Sequence, residues 1–304
     1  MNKYRTYFLV FSFAAMVSFI FISCSGSKIP EEAKINFQSF KRNLNITTPT
    51  TALLEKYNKD VPAENTTIIK GEKEFSGFVT GNKSFLDEVI APEIEKHRDR
   101  LEQLPPHEIV NELAIFGFEI FQKYFGKDFY RWGGDILDLD DPQFEGVRHG
   151  FKYGLDCSGF TALPYELAVY FNLIDAKSAL FSSKGFGLYC KEHSFKDTGG
   201  REGTSNNFRL DTEEMALLGK EVFRVEKGSS ASDEQIRLLQ PGDIVGRSGH
   251  FGIVVFIYDK PYYLESGGWV VPAAGGLPVE AKTAIEVFAK NGYVSVKRCL
   301  EFNK

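Results

Sequence analysis

The chain has 304 residues, 43% hydrophobic and 14% aromatic, enough apolar material for one large or two small globular domains. Its 36 Lys and Arg against 41 Asp and Glu leave a formal net charge of −5. That balance gives no electrostatic case for nucleic-acid binding, which needs a basic face.

The chain opens with Lys3 and Arg5, then an almost wholly apolar stretch over residues 7–22, then Ser23-Cys24-Ser25. The stretch is shorter than the roughly 20 residues that span a bilayer comfortably. It fits the apolar region of a signal peptide better. A Cys directly after it resembles a bacterial lipobox, although Phe21 stands where Leu is usual. On that resemblance the Cys24 thiol takes a diacylglyceryl group and Cys24 becomes the new N-terminus. An ordinary signal peptide, or an uncleaved anchor that happens to contain a Cys, is the alternative. All three place the mature protein outside the cytoplasm, and the lipid form is anchored to a bacterial membrane. The expected division is a signal peptide over 1–23, a polar tether over 24–35, an N-terminal region over 36–104 with no chemical motif, and a main domain over 105–304.

Thr66–Val79 is β-leaning, with Gly at its margins. Ser84–Leu104 carries apolar residues at mostly helical spacing, with Pro92 set to bend or restart the helix. After Pro105-Pro106, His107–Phe125 repeats apolar residues at three and four, and Gly126 is a natural stop. Phe129-Tyr130-Arg131-Trp132 reads as extended and runs into Gly133-Gly134; an acidic, turn-rich stretch follows. A helix is expected from Cys157 to about Phe171, despite Pro164 in its first turns.

Residues 174–235 read as loop-rich because of Gly185, Gly187, Gly199, Gly200 and Gly203. Within them Asp211 is a plausible N-cap, and Ser232 with Gln235 a capping box. Then come expected strands at Asp243–Arg247, His250–Tyr258, Tyr262–Ser266 and Trp269–Val271. A helix over Val279–Lys290 and a strand over Tyr293–Phe302 close the chain. Helices first and an antiparallel meander afterwards argue an α+β fold.

The four cysteines are Cys24, Cys157, Cys190 and Cys299. With Cys24 lipidated an odd number remains, so at least one thiol stays unbridged in an oxidising compartment. Cys190 and Cys299 can pair, or both can be small buried hydrophobes. Cys157 stands where a loop meets a helix, and a thiolate there is stabilised by the terminal N–H groups and the helix dipole. Its backbone N–H can also point at a substrate oxyanion. His250 opens an apolar strand directly after Gly249, where it can project towards a facing helix start. His149, close to Cys157 in sequence, is the second choice of base. Glu265, on the next strand, can orient the imidazole. No Cys or His pair has zinc-ligand spacing, and no phosphate loop is present, so no metal or cofactor is expected.

Three motifs in order carry a family resemblance. Leu155-Asp156-Cys157-Ser158-Gly159-Phe160 resembles the nucleophile motif of the NlpC/P60 cell-wall peptidases. Leu239-Gln240-Pro241-Gly242-Asp243-Ile244-Val245 with Gly249-His250-Phe251-Gly252-Ile253-Val254 resembles the base motif and its lead-in. Phe129-Tyr130-Arg131-Trp132-Gly133-Gly134 resembles the upstream aromatic motif. The resemblance implies a papain-like fold, with a Cys-bearing helix packed on an antiparallel sheet that carries the His. It implies hydrolysis of the bond between D-γ-glutamyl and a diamino acid in peptidoglycan stem peptides. It also implies a triad of Cys157, His250 and Glu265, with Tyr130, Asp156 and Ser158 shaping the substrate subsite. Asp156 would pair with a free amine of the stem peptide.

The chain departs from the pattern in three ways. Glu265 replaces a His or neutral amide, and extra residues lie at about 135–153 and 174–235, where they are expected near the cleft. The competing readings are an amidase or lipid acyltransferase on the same scaffold, and a wall-binding surface lipoprotein without catalysis.

Overall fold

The computed structural model describes residues 46–57, 65–70, 73–78, 85–126, 129–130, 155–195, 210–266 and 278–300. The signal segment with Cys24, the tether, His149, the 135–153 insertion and the expected Trp269–Val271 strand lie outside the described residues.

Helix α1 spans Thr51–Tyr57, and β1 (Asn65–Lys70) pairs antiparallel with β2 (Lys73–Phe78). The expected Ser84–Leu104 helix is built in three pieces: a π turn at Leu86–Ile90, α2 (Ala91–Lys96) and α3 (Arg98–Leu101). Pro92 lies in the first turn of α2 and has no N–H to donate, and the turn ahead of it is widened, with Ala91 N–H reaching Leu86 O. Helix α4 (Pro106–Phe125) starts on Pro106 and ends at Gly126, whose φ of 76° suits glycine. Phe85 packs edge-on against Tyr57, Phe121 and Tyr124 at 5.0–5.3 Å between ring centroids. Tyr57, Phe85, Leu86 and Ile90 belong to the same hydrophobic cluster as Phe121, Phe160 and Phe251. The segment before residue 105 therefore helps to build the core of the residues after it.

Helix α5 (Cys157–Tyr170) is buried from Cys157 through Val169, and Pro164 does not break it. The loop reading of 174–235 needs correction where the residues are described, Gly199, Gly200 and Gly203 lying outside them. It contains α6 (Ser183–His193), α7 (Thr212–Leu217), β3 (Lys220–Val225) and α8 (Asp233–Arg237). The Gly185 that suggested a loop is a packing device: a Cβ there would sit 2.0 Å from Ala179 O. The caps at Asp211 and Ser232 are formed as expected, each with a reciprocal bond from the residue three further on.

The remaining elements are β4 (Ile244–Arg247), β5 (His250–Ile257), β6 (Lys260–Leu264), β7 (Val279–Glu280), α9 (Ala281–Asn291) and β8 (Val294–Arg298). They complete an open six-stranded antiparallel sheet of order β3-β8-β4-β5-β6-β7. The period-two pattern of β5 divides the core. Phe251, Ile253, Val255 and Ile257 join the cluster that includes α4 and α5. Val254 and Tyr263 join a second cluster with Ala284, Ile285 and Phe288 of α9. The sheet thus lies between two helical layers, an α+β architecture.

Two buried polar ties lock the sheet to its surroundings. Tyr165 of α5 donates its hydroxyl to Gly242 O. Asp243, with no exposed surface, accepts from Arg298 Nε at 2.7 Å and Nη2 at 2.8 Å, and from Gln240 N at 2.8 Å. Cys190 and Cys299 are buried thiols and form no disulfide. Among the described residues no helix is long and apolar enough to cross a membrane.

Candidate active site

The site starts at the N-terminus of α5. Asp156 is its N-cap: Oδ1 accepts from Gly159 N at 2.7 Å and from Ser158 Oγ at 3.0 Å. Cys157 follows as the first helical residue, where N–H groups lack intrahelical acceptors. The segment leading in is held on both sides. Leu155 N donates to Phe129 O at 3.1 Å, Tyr130 bridges Leu155, and Ser266 Oγ donates to Leu155 O at 2.7 Å. The last bond ties the end of β6 to the approach of the nucleophile helix.

His250 is the first residue of β5, directly after the tight turn at Ser248-Gly249. Gly249 adopts φ 98°, which a side chain would resist. The turn is clamped by α7: Gly249 N donates to Thr212 Oγ1 at 3.0 Å, and Ser248 Oγ to Glu213 Oε1 at 3.3 Å. Of the 174–235 excursion, the α7 end thus borders His250, while β3 forms the far edge of the sheet.

The His250 side chain lies on the α9 side of the sheet, its ring centroid 5.9 Å from that of Phe288. Its Nε2–H donates to Glu265 Oε2 at 2.5 Å, and both side chains are 1% exposed. Nδ1 is the ring nitrogen left for Cys157, with which the imidazole interacts by charge and hydrogen bond. Cys157 comes from the helical layer on the opposite side, so the pair closes across the end of β5.

The electrostatics follow from this arrangement. Burial pulls the His250 pKa down. The charges of Glu265 and then Cys157, with hydrogen bonds to both, more than offset it and push the value up to about 10. The imidazole is therefore an imidazolium at neutral pH, set between a carboxylate and a sulfur. The arrangement has the parts of an activated thiol: a nucleophile at a helix start, a charged partner and an orienting carboxylate.

Five of the six expected site residues of the main domain lie at this helix start and strand end, and the sixth, Tyr130, reaches it through its backbone bridge to Leu155. Cys157, His250 and Glu265 interact directly. Asp156 and Ser158 flank the sulfur, buried and bonded to one another, and half-buried Tyr130 sits against Leu155. Four contributors were not singled out from the sequence: Tyr263, Gly252, Phe288 and Thr212. The signal for Tyr263 was available, since residues two apart on a strand share a face. Tyr263 Oη–H donates to Glu265 Oε2 at 3.2 Å.

A cavity of about 340 Å³ lies elsewhere, lined by Lys177, Tyr189, Lys220 and Cys299 among others, and it includes no residue of this cluster. Among the described residues no group of three or more His, Cys, Asp or Glu side chains converges as a metal site would. Comparison with protein-family models, with curated proteins and with solved structures gives no match.

Proposed function

We propose that this chain is a thiol hydrolase of the NlpC/P60 type with a papain-like arrangement, acting on peptidoglycan stem peptides at D-γ-glutamyl-diamino acid bonds. The observation that carries the proposal is the buried His250–Glu265 pair at 2.5 Å, with Cys157 at the start of α5 as its third member. A charged imidazole and a carboxylate sealed at 1% exposure are costly to bury, and catalysis supplies a reason to keep them together.

The chemistry follows from the geometry. The Cys157 thiolate attacks the scissile carbonyl carbon and forms a C–S bond as the carbonyl electrons move to oxygen. The backbone N–H of Cys157, at the helix start, receives the oxyanion. The intermediate collapses, the C–N bond breaks, and the His250 imidazolium gives its proton to the departing amine. The neutral imidazole then takes a proton from water, and the resulting hydroxide attacks the thioester. Collapse releases the acid and restores the thiolate–imidazolium pair. Glu265 holds Nε2–H throughout. Asp156 pairs with the free amine of the stem peptide, while its Oδ1 caps the helix. In this proposal the lipid on Cys24 holds the domain at a bacterial membrane, on the extracytoplasmic side.

The deciding experiment is digestion of purified muropeptides, followed by mass spectrometry of the products. Wild-type protein releases peptide fragments, and Cys157→Ala releases none while unfolding at nearly the same temperature. Wild-type protein inert on muropeptides, but cleaving amide or ester groups in another substrate, would leave the thiol machinery standing and remove the wall substrate. A Cys157→Ala variant that retains activity would remove Cys157 as nucleophile.

A further inference from the structure

The described cluster has a fourth polar member. Glu265 Oε2 accepts two hydrogen bonds, from His250 Nε2–H at 2.5 Å and from Tyr263 Oη–H at 3.2 Å. The second donor is held firmly. Tyr263 has no exposed surface, and its ring meets Phe288 edge-on at 5.9 Å and 82°. The ring also lies over Gly252: a Cβ built there would come within 2.5 Å of both Cζ and Oη. Gly252 thus leaves the space the phenol occupies, and the phenol's position aims its hydroxyl at the carboxylate.

We propose that Tyr263 is a positioning residue for the thiol centre, holding the Glu265 carboxylate in the orientation that supports the His250 imidazolium. The inference rests on the reading of Cys157 and His250 as a reactive pair. A glutamate has one more rotatable bond than aspartate or asparagine, so each hydrogen bond from a fixed donor restrains its head. The bond from the Tyr263 ring is one such restraint, on the same oxygen that faces His250. Burial, then the charge of Glu265, holds the phenol well above its ordinary pKa, so it stays protonated and acts as a donor throughout the working range.

The charged and titratable groups facing the carboxylate are few among the described residues. His250 comes from β5, Tyr263 from β6, Cys157 from α5 beyond the imidazole, and the cation Arg247 of β4 stands opposite His250 in the ladder. Helix α9 brings the uncharged Phe288 against both His250 and Tyr263. With Tyr263 removed, a less restrained carboxylate supports the imidazolium less. The thiolate–imidazolium pair then forms only at higher pH and dissolves at lower pH, so its window narrows from both sides.

The test needs no substrate. The rate of Cys157 alkylation by iodoacetamide is followed against pH by peptide mapping, in wild type and in Tyr263→Phe, which keeps the ring and removes the hydroxyl. The rising limb is expected to move to higher pH by about half a unit to one unit, with alkylation at pH 5 falling roughly threefold to tenfold. Val254→Ala, which trims the residue paired with Tyr263 across the ladder, is the packing control. It should lower the melting temperature and leave the limb in place. Superimposable profiles for wild type and Tyr263→Phe, or a limb that moves to lower pH, would overturn the positioning role. A wild-type profile with ordinary thiol reactivity would instead overturn the reading of the Cys157–His250 pair.

Discussion

Glu265 lies diagonally across the β5–β6 ladder from His250, on the same face of the sheet. The register pairs Ile253 with Leu264, and one further step sets Glu265 opposite Gly252. His250 is two residues before Gly252 and shares its face. Glu265 thus lies beside the start of β5, and the residue directly opposite it has no side chain. That empty position is what the imidazole, the carboxylate and the phenol converge upon.

Gly252→Ala should therefore damage the site without touching a charged group. The new methyl would meet Leu264 O at 2.4 Å, a backbone atom that cannot move alone, as well as the Tyr263 ring. The expected cost is about 1–3 kcal/mol of stability, as for overpacking elsewhere. Cys157 alkylation at pH 6 should fall as well. Urea unfolding and alkylation measured on the same preparation check both, and an unchanged midpoint with unchanged alkylation would refute the clash.

The pH dependence of stability has a definite sign. An imidazole titrates near 6.5 in an unfolded chain, and His250 is pushed up to about 10 in the fold. Folding therefore tightens proton binding. The stabilisation is fully present below about pH 6.5 and is lost as pH rises through about 10. Glu265→Gln removes the charge that supports the imidazolium. The melting temperature gap between wild type and Glu265→Gln should be at least about 4 °C at pH 6.5 and close towards pH 10.5. A gap that stays constant or widens with pH contradicts the assignment. Activity of Glu265→Gln should fall, but less than that of His250→Ala.

Asp156 has a structural duty that can be separated from substrate binding. Asp156→Ala removes the acceptor for Gly159 N and Ser158 Oγ and should cost about 0.5–2 kcal/mol. Asp156→Asn keeps a capping oxygen and loses the charge. It should unfold close to wild type yet show a raised KM for stem peptides with a free amine, and little change for N-acetylated ones. Equal KM values for both substrates in both proteins would leave Asp156 as a cap alone.

The Asp243–Arg298 tie should matter more for folding than for chemistry. Burial, its largest influence, raises the Asp243 pKa, and the fork of Arg298 opposes that. Arg298→Met leaves a fully buried carboxylate without its cation, at a cost of about 3–5 kcal/mol. The loss should be greatest above neutral pH, where the carboxylate is forced to ionise. Urea titrations at pH 5 and pH 8 measure the difference; equal losses at both would argue against it.

The local code of this chain was readable wherever a cap or a period marks an element. Asp211 and Ser232 announce helix starts by side-chain chemistry that depends on neighbours three residues away, whereas Asp156, read only as a substrate contact, proved to cap the helix of Cys157 as well. The apolar run of β5 and the Gly249 ahead of it placed His250 at the mouth of a strand. Gly185 misled because a glycine in a helix looks like a break until Ala179 O is seen against it. The strand Lys220–Val225 was missed because its pairing partner, β8, lies some 70 residues away, beyond any local pattern. By itself, then, the sequence determined which residues begin the helix and the strand that carry the thiol and the imidazole. Tertiary structure alone decided that they meet across the end of β5, that Glu265 reaches Nε2 on a diagonal, and that Tyr263 shares its oxygen. Those relations depend on strand register and on two helical layers closing over one sheet, which are properties of the packed chain rather than of any short segment.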